Sequence, residues 1–454
     1  MNKLKYAALA AFIGAVATPA MADKAETTGG LKIKTDDGRF EMAIGGRIHF
    51  DAYIFDQDED ALFGSSSFNG KGGAAFRRTY LTLTGKAYGW KYKFENDFSA
   101  MGGSTTCDAV AAVPATPTCS TSNTGASGFR ELWVSTNLGP GEIVIGQFKP
   151  FRGMEELTSS NELTMIERPV TSASGIYAGR QFLMGVGYKG LIADQFGYGI
   201  DVMNLGAANS TTEGLSYGAR AYWFPISTAT QTIHAGLSYS VDSEAIGSID
   251  AARPAFNYAG RRGPQIRFAE AGRAFAEADR YGDQSTWAAE LGTSFGPFTA
   301  QAEYAKGKLD DAFGTAAAPE DADVTAYYVQ ASWMITGESK PYKKDRGAFG
   351  NPKPNGAYGA WEATARYEMM ESDDESGTNT LCRFASNGSG GVVIPGAAAG
   401  ADQCELTQLT LGANWYLNPN VRFMLNYYMA ELDLGGTAGK DEPEAWTLRT
   451  QFSF

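Results

Sequence analysis

The chain has 454 residues, a formal net charge of −13, a pI near 4.8 and a mean hydropathy of −0.25. Hydrophobic residues make up 43% of it but are scattered, and no internal run approaches the roughly 20 apolar residues a spanning helix needs, which excludes helical membrane proteins. Gly (55), Phe (26), Tyr (22) and Trp (8) are abundant, leaving two classes: secreted β proteins and outer-membrane barrels.

The N-terminus reads as an export signal over residues 1–22. Lys3 and Lys5 form a positive region, Ala7 to Ala17 an apolar one, and Ala20-Met21-Ala22 a small-residue cleavage site. Removing the two lysines takes the net charge from −13 to −15. Residues 23–454 form the expected barrel.

From there, segments of period two follow one another to the end: 39–55, 77–87, 90–98, 129–137, 141–149, 182–190, 196–204, 215–224, 232–242, 285–295, 298–309, 324–335, 360–370, 405–417, 421–432 and 445–454. Strict alternation is the signature of a strand with one apolar and one polar face. Sixteen such segments, most near the 9–11 residues a tilted strand needs to cross a bilayer, predict an all-β transmembrane antiparallel barrel of the Gram-negative porin type.

The connections alternate in length. Even-numbered ones are mostly tight, as at Tyr88-Gly89, Gly296-Pro297 and Asn418-Pro419-Asn420. Odd-numbered ones are long: 56–76, 99–128, 150–181, 243–284 and 371–404. Short inner turns with long outer loops match an outer-membrane barrel rather than a soluble sandwich. The four cysteines fall in two outer loops, and an even number in an exported chain predicts local disulfides Cys107–Cys119 and Cys382–Cys404.

Charge falls on one face of the strands. In 361–369 the lipid face is Trp361, Ala363, Ala365, Tyr367 and Met369, and the lumen face is Glu362, Thr364, Arg366 and Glu368. A Lys or Arg facing lipid at midplane would cost about 2–4 kcal/mol. Lipid cannot satisfy an open sheet edge, so the sheet must close, and sixteen strands leave an aqueous channel.

Four stretches, "FRRTYLTLTGKAYGWKYKFENDFS", "GQFKPFRGMEELTSSNELTMIERP", "MITGESKPYKKDRGAFGNPKPNGAYGAWEATARY" and the terminal "WTLRTQFSF", together resemble the phosphate-selective porin O/P family. The resemblance implies a homotrimer whose terminal Phe454 is read by the barrel-assembly machinery. It implies three inward-folded segments, about 150–181, 243–284 and 336–359. It also implies an arginine ladder, for which the candidates are Arg253, Arg262 and Arg267, and a lysine cluster, for which they are Lys340, Lys343, Lys344 and Lys353. Arg78 is in phase with the lumen, Arg77 is expected at the outer rim, and Lys149 opens the first inward segment. Guanidinium forks bind phosphate bidentately and lysine acts as a point charge, so such a lining selects anions.

These readings predict a passive outer-membrane channel for small phosphate- or polyphosphate-like anions, in contact with lipid and lipopolysaccharide. Two alternatives stay open: a general, weakly selective porin for small hydrophilic solutes, and a surface adhesin or structural barrel with acidic outer loops. His49 and His234 are in phase with the lumen, but no serine motif accompanies them, so no enzyme is expected. No nucleotide, nucleic-acid or metal motif is present, and no cofactor is expected.

Overall fold

The computed structural model describes residues 24–26, 31–56, 72–99, 104–107, 119–122, 128–177, 182–205, 214–246, 255–259, 265–268, 282–315, 318–374, 382–385, 391–392, 404–433 and 440–454. The proposed signal segment, Arg253 and Arg262 lie outside them.

Sixteen strands form the barrel: β1 (Phe40–Asp56), β2 (Gly72–Ala87), β3 (Trp90–Asp97), β4 (Gly128–Leu138), β5 (Gly141–Phe148), β6 (Leu183–Ile192), β7 (Phe196–Asn204), β8 (Leu215–Ser227), β9 (Gln231–Ile246), β10 (Gly282–Phe295), β11 (Phe298–Thr315), β12 (Ala318–Met334), β13 (Ala360–Asp374), β14 (Cys404–Tyr416), β15 (Val421–Asp433) and β16 (Glu444–Ser453). Each pairs antiparallel with its sequence neighbours, and β16 pairs with β1 through Trp446 opposite Ile54 and Arg449 opposite Asp51. The wall is therefore closed, and every predicted segment is one of its strands. Several strands run further outward than expected, β11 to Thr315 and β12 from Ala318, because a hairpin can keep pairing in water above the bilayer.

Alternation sorts the two faces as expected. Along β15, Arg422, Met424, Asn426 and Tyr428 are buried inside, while Leu425 is exposed outside. Exposed aromatic rings pair across neighbouring strands in two belts. Phe298–Trp333 and Trp361–Trp415 stack near the inner turns, and Trp287–Tyr304 and Tyr427–Trp446 pack nearer the outer loops. Amphipathic rings gather at the two bilayer interfaces, so the band between them is the lipid-facing one.

The lumen departs from the expectation of a uniformly wet inner face. On the outer half of β11 to β15, inward positions are apolar: Leu309, Val324, Met370, Leu406 and Leu432 are buried. They pack in one cluster with Phe256, Tyr258, Ile266 and Phe268 of the fifth outer loop and Val170 and Ile176 of the third. Tyr258 donates its hydroxyl to the carbonyl of Pro443 at 2.8 Å. The strand Gln265–Phe268 pairs with Cys382–Ala385 of a later outer loop, so two outer loops share one small sheet. Parts of two predicted inward segments thus pack as a dry core against the inner face of β11 to β15, and a second dry cluster of Val144, Phe148, Phe151, Leu183 and Met203 lies along β5 to β7. Cys107 and Cys119 are register partners, and Cys404 is disulfide-bonded.

The C-terminus is tied down. Phe454 N donates to Gly46 O at 3.1 Å and Gly46 N donates to Phe454 O at 2.8 Å, while the ring stays exposed on the lipid side. A Cβ on Gly46 would stand 2.5 Å from both the Phe454 ring and the Tyr80 carbonyl. Because the carbonyl is backbone and cannot swing away, Gly46→Val should cost about 1–3 kcal/mol. It should lower the temperature at which the detergent-solubilised barrel loses its compact electrophoretic mobility; an unchanged transition would show that the seam tolerates the side chain.

Candidate anion pathway

The third outer loop leaves β5 through Lys149 and enters the barrel over residues 150–177. Its own sequence cannot hold it there, because its two helices, Met154–Leu157 and Val170–Ala173, are single turns without side-chain caps. The wall does so by capturing loop backbone. Glu303 accepts Met154 N (2.6 Å) and Glu155 N (3.1 Å), Asp201 accepts Phe151 N (2.8 Å) and Glu368 accepts Val170 N (2.9 Å). Arg422 donates to Leu163 O at 2.8 Å, Arg366 to Glu167 O at 2.9 Å, and Arg449 to Ile166 O. Where the partner is charged, a bond of this kind is stronger than a neutral one. Within the loop, Arg152 is fully buried and pairs with Asp201 (3.3 Å) and Asp242 (3.4 Å). Gly153 has a φ of 64°, and a Cβ there would crowd Glu303.

On the opposite wall, two β-bulges aim arginines inward. The β1–β2 register passes from His49 opposite Arg78 to Phe50 opposite Phe76, leaving Arg77 as the extra residue. The β3–β4 register passes from Glu95 opposite Glu131 to Asn96 opposite Phe129, leaving Arg130 extra. A bulge breaks the period of two, so consecutive residues share a face. This corrects the expected position of Arg77: it is not at the rim but inside, in a fork pair with Glu167 of the loop at 2.6 and 3.0 Å. Arg78 is inside as expected, buried, with Nη1 lacking a hydrogen-bond partner among the described residues.

Arg47, Lys93 and Arg130 were not among the predicted lining. Arg47 pairs with Glu95 at 2.9 Å and lies 4.8 Å from the Tyr80 ring centre. Arg130 pairs with Asp97 at 2.9 Å and stands over both Tyr80 and Phe182. Lys149 shares Phe182 and pairs with Glu156 at 3.1 Å. Burial, with the nearby Arg168 guanidinium, brings its ammonium down to about 8. Arg47 was readable from its phase with His49; the bulge hid Arg130.

These pairs share an orientation. Arg47 is 12% exposed against 2% for Glu95, Arg130 is 34% against 4% for Asp97, and Arg77 is 21% against 10% for Glu167. The carboxylate sits behind and the cation faces the lumen. A solute feels the nearer charge more strongly, so a neutral pair built this way presents a positive surface. Arg47 Nε and Arg130 Nε are buried and have no hydrogen-bond partner among the described residues, so the exposed part of each guanidinium is its terminal nitrogens.

The long inner turn, 336–359, is clamped from the other side. Arg220 holds Glu290 at 2.6 and 2.8 Å and also donates to Arg346 O at 2.6 Å and Gly347 O at 3.0 Å. Lys343 pairs with Glu162 of the third loop, and Asn351 donates to Asn161 O at 2.7 Å, so turn and loop meet. Lys340 is buried against Glu362 and Thr164, and burial lowers its affinity for a proton. Lys344 pairs at the surface with Asp194, and Lys353 is exposed. The four candidates of the cluster are therefore not together: Lys343 faces the loop, Lys340 is locked in the wall, and Lys344 points to the inner turns. Arg267 lies in the strand Gln265–Phe268 of the fifth loop. His49 meets Asn161 Oδ1 at 3.0 Å and His234 meets the Tyr342 hydroxyl at 2.6 Å, so both serve the packing of the inward segments. Among the described residues no His, Cys, Asp and Glu group could hold a metal ion.

The geometry agrees with known proteins. The chain is 29% identical to Porin O of Pseudomonas aeruginosa over 467 aligned residues, covering 98% of this chain and 95% of that one. In fold it is similar to the outer-membrane channel DcaP of Acinetobacter baumannii, with a TM-score of 0.52 at 14% identity, covering 93% of this chain and 99% of that one. It is also similar to the trimer form of the outer-membrane protein OmpT of Vibrio cholerae, with a TM-score of 0.50 at 10% identity, covering 91% and 99%. The sequence model of the family "Phosphate-selective porin O and P" matches residues 42–454, and the chain belongs to that family: it is an outer-membrane porin.

Proposed function

We propose that this porin conducts small phosphate-like anions passively, through a path along β1 to β6 lined by Arg47, Arg77, Arg78, Lys93, Arg130 and Lys149. The observation that carries the reading is the shared orientation of the Arg47–Glu95, Arg77–Glu167 and Arg130–Asp97 pairs, with the cation more exposed than its carboxylate. A row of weak, partly compensated sites lets an anion enter and leave, as conduction requires. Lys343 and Arg253, Arg262 and Arg267 extend the path at its two ends in this proposal. The same reading takes residues 1–22 as a cleaved export signal and Phe454 as the mark read by the assembly machinery. It takes the working form as a homotrimer embedded among lipid and lipopolysaccharide, with Cys107–Cys119 and Cys382–Cys404 closing outer loops.

In planar bilayers under a potassium chloride gradient, the reversal potential should have the anion sign, and added phosphate should reduce the chloride current. A reversal potential of cation sign, or a chloride current indifferent to phosphate, would defeat the proposal in favour of a general porin.

Position along the path makes a sharper expectation. Arg130→Glu should cut the anion-to-cation permeability ratio several-fold, since it places a carboxylate beside Asp97 at the lumen surface. Lys344→Glu should leave the ratio almost unchanged, because Lys344 pairs with an Asp194 that is 73% exposed at the inner turns. Equal effects of the two substitutions would show that the wall is not the filter.

A further inference from the structure

The third outer loop carries an anion of its own into this site. Glu167 lays both carboxylate oxygens on the Arg77 fork, at 2.6 and 3.0 Å, and shares Oε1 with Arg449 at 3.2 Å. This is the bidentate geometry by which a guanidinium also holds a phosphate oxygen pair. We infer that Glu167 is a resident counter-anion that competes with the solute for Arg77 and Arg78, and so sets how tightly the channel holds phosphate. The inference rests on the anion reading above and deepens it.

Three observations support it. First, the backbone that carries the carboxylate is tied to the wall, so a displaced carboxylate stays beside the fork. Its own carbonyl accepts Arg366, the preceding Ile166 carbonyl accepts Arg449, and Ile166 N donates to Asn426 Oδ1 at 2.7 Å. A tethered group competes at a high effective concentration. Second, the pair borders the lumen rather than the core, since Arg77 and Glu167 both keep some exposure. Third, the cations there exceed what other carboxylates satisfy. Arg449 has Asp51, bound at 2.6 Å through Nε and Nη2, but among the described residues Arg77 pairs only with Glu167 and Arg78 Nη1 has no hydrogen-bond partner. Burial works against the charge of Glu167, yet the guanidinia of Arg77, Arg449 and Arg78 hold it well below the usual carboxylate range, so the competitor stays ionised at physiological pH.

Two adjacent arginines without an internal anion would bind phosphate firmly and release it slowly. With Glu167 in place, phosphate meets a fork already occupied and must displace a carboxylate that returns at once. A pore that has to pass its solute gains from that exchange, because over-tight binding stops conduction.

The test uses the full mature barrel in planar bilayers with inorganic phosphate as the probe, read as the concentration that halves the chloride current. Glu167→Gln keeps the shape and removes the charge. It should lower the half-blocking concentration by about tenfold, the order of one charge-assisted hydrogen bond, and should lower the phosphate current at saturation. The double variant Arg77→Gln with Glu167→Gln removes the uncompensated cation as well and should return the block to the unaltered value or weaker. A half-blocking concentration that is unchanged or higher in Glu167→Gln overturns the inference, as does a double variant that binds as tightly as the single one. Absence of block in the unaltered protein removes the anion reading and this inference together; block that Glu167→Gln leaves untouched removes only the role of Glu167.

Discussion

A backbone amide facing hydrocarbon has no water to bond, so a sheet in a bilayer must have no edge. Here that condition comes down to one seam, between β16 and β1. It is pinned at its inner end by the reciprocal hydrogen bonds of Phe454 and Gly46. Within the wall it is pinned again by Arg449, whose guanidinium takes both oxygens of Asp51 while fully buried. A buried pair of this kind is worth little against an apolar substitute but is costly to break singly, so it acts as a register lock more than as a source of stability. Everything inside the barrel inherits its place from that register. Arg449 also reaches the third loop through Ile166 O, so the residue that closes the wall also holds the loop.

How much of this was legible in the sequence follows from what period two can encode. It names strands and faces, which is why β13 reads correctly side chain by side chain. It cannot encode a bulge, because a bulge is a mismatch between two strands and each strand alone still alternates on either side of it. Arg77 and Arg130 were therefore misplaced or missed although their flanking residues were read in phase. Nor can alternation tell a wet inward position from a dry one. Leu309, Val324 and Leu432 sit on the lumen side yet pack against Phe256 and Ile266, residues some distance away in sequence. Burial by an inward loop depends on tertiary contacts that no local pattern carries. The lysine cluster was legible as composition, but its dispersal among Glu362, Glu162 and Asp194 depends on where the inner turn is clamped.

The dry core also reconciles an acidic protein with an anion path. A net charge of −13 says little about a channel whose solute passes one wall only. Arginines on β13, β15 and β16 look in sequence like a basic lining, but they donate to loop carbonyls at Leu163, Ile166 and Glu167 and serve as fasteners. In the proposed path fewer cations remain, on β1 to β4 and at Lys149, and those at Arg47, Arg77 and Arg130 are partly neutralised by carboxylates less exposed than they are.

That arrangement resolves two demands that oppose each other. A lumen lined with bare arginines would repel itself during folding and would trap the anion it attracts. A lumen whose arginines are fully paired would attract nothing. Placing the carboxylate deeper than its cation, as at Arg47, Arg77 and Arg130, removes most of the repulsion, since partners 2.6 to 2.9 Å apart nearly cancel at a distance. Close to the wall the cancellation fails, because the nearer charge dominates once the solute is within a few ångströms. Selectivity then becomes a property of contact rather than of the long-range field, and it survives both an acidic exterior and the screening of salt, which weakens distant charges first. Glu167 belongs to the same scheme but differs in one respect: it arrives from the loop rather than the wall, so its depth is set by the fasteners that hold residues 163–170, and any change in their hold is felt directly at Arg77.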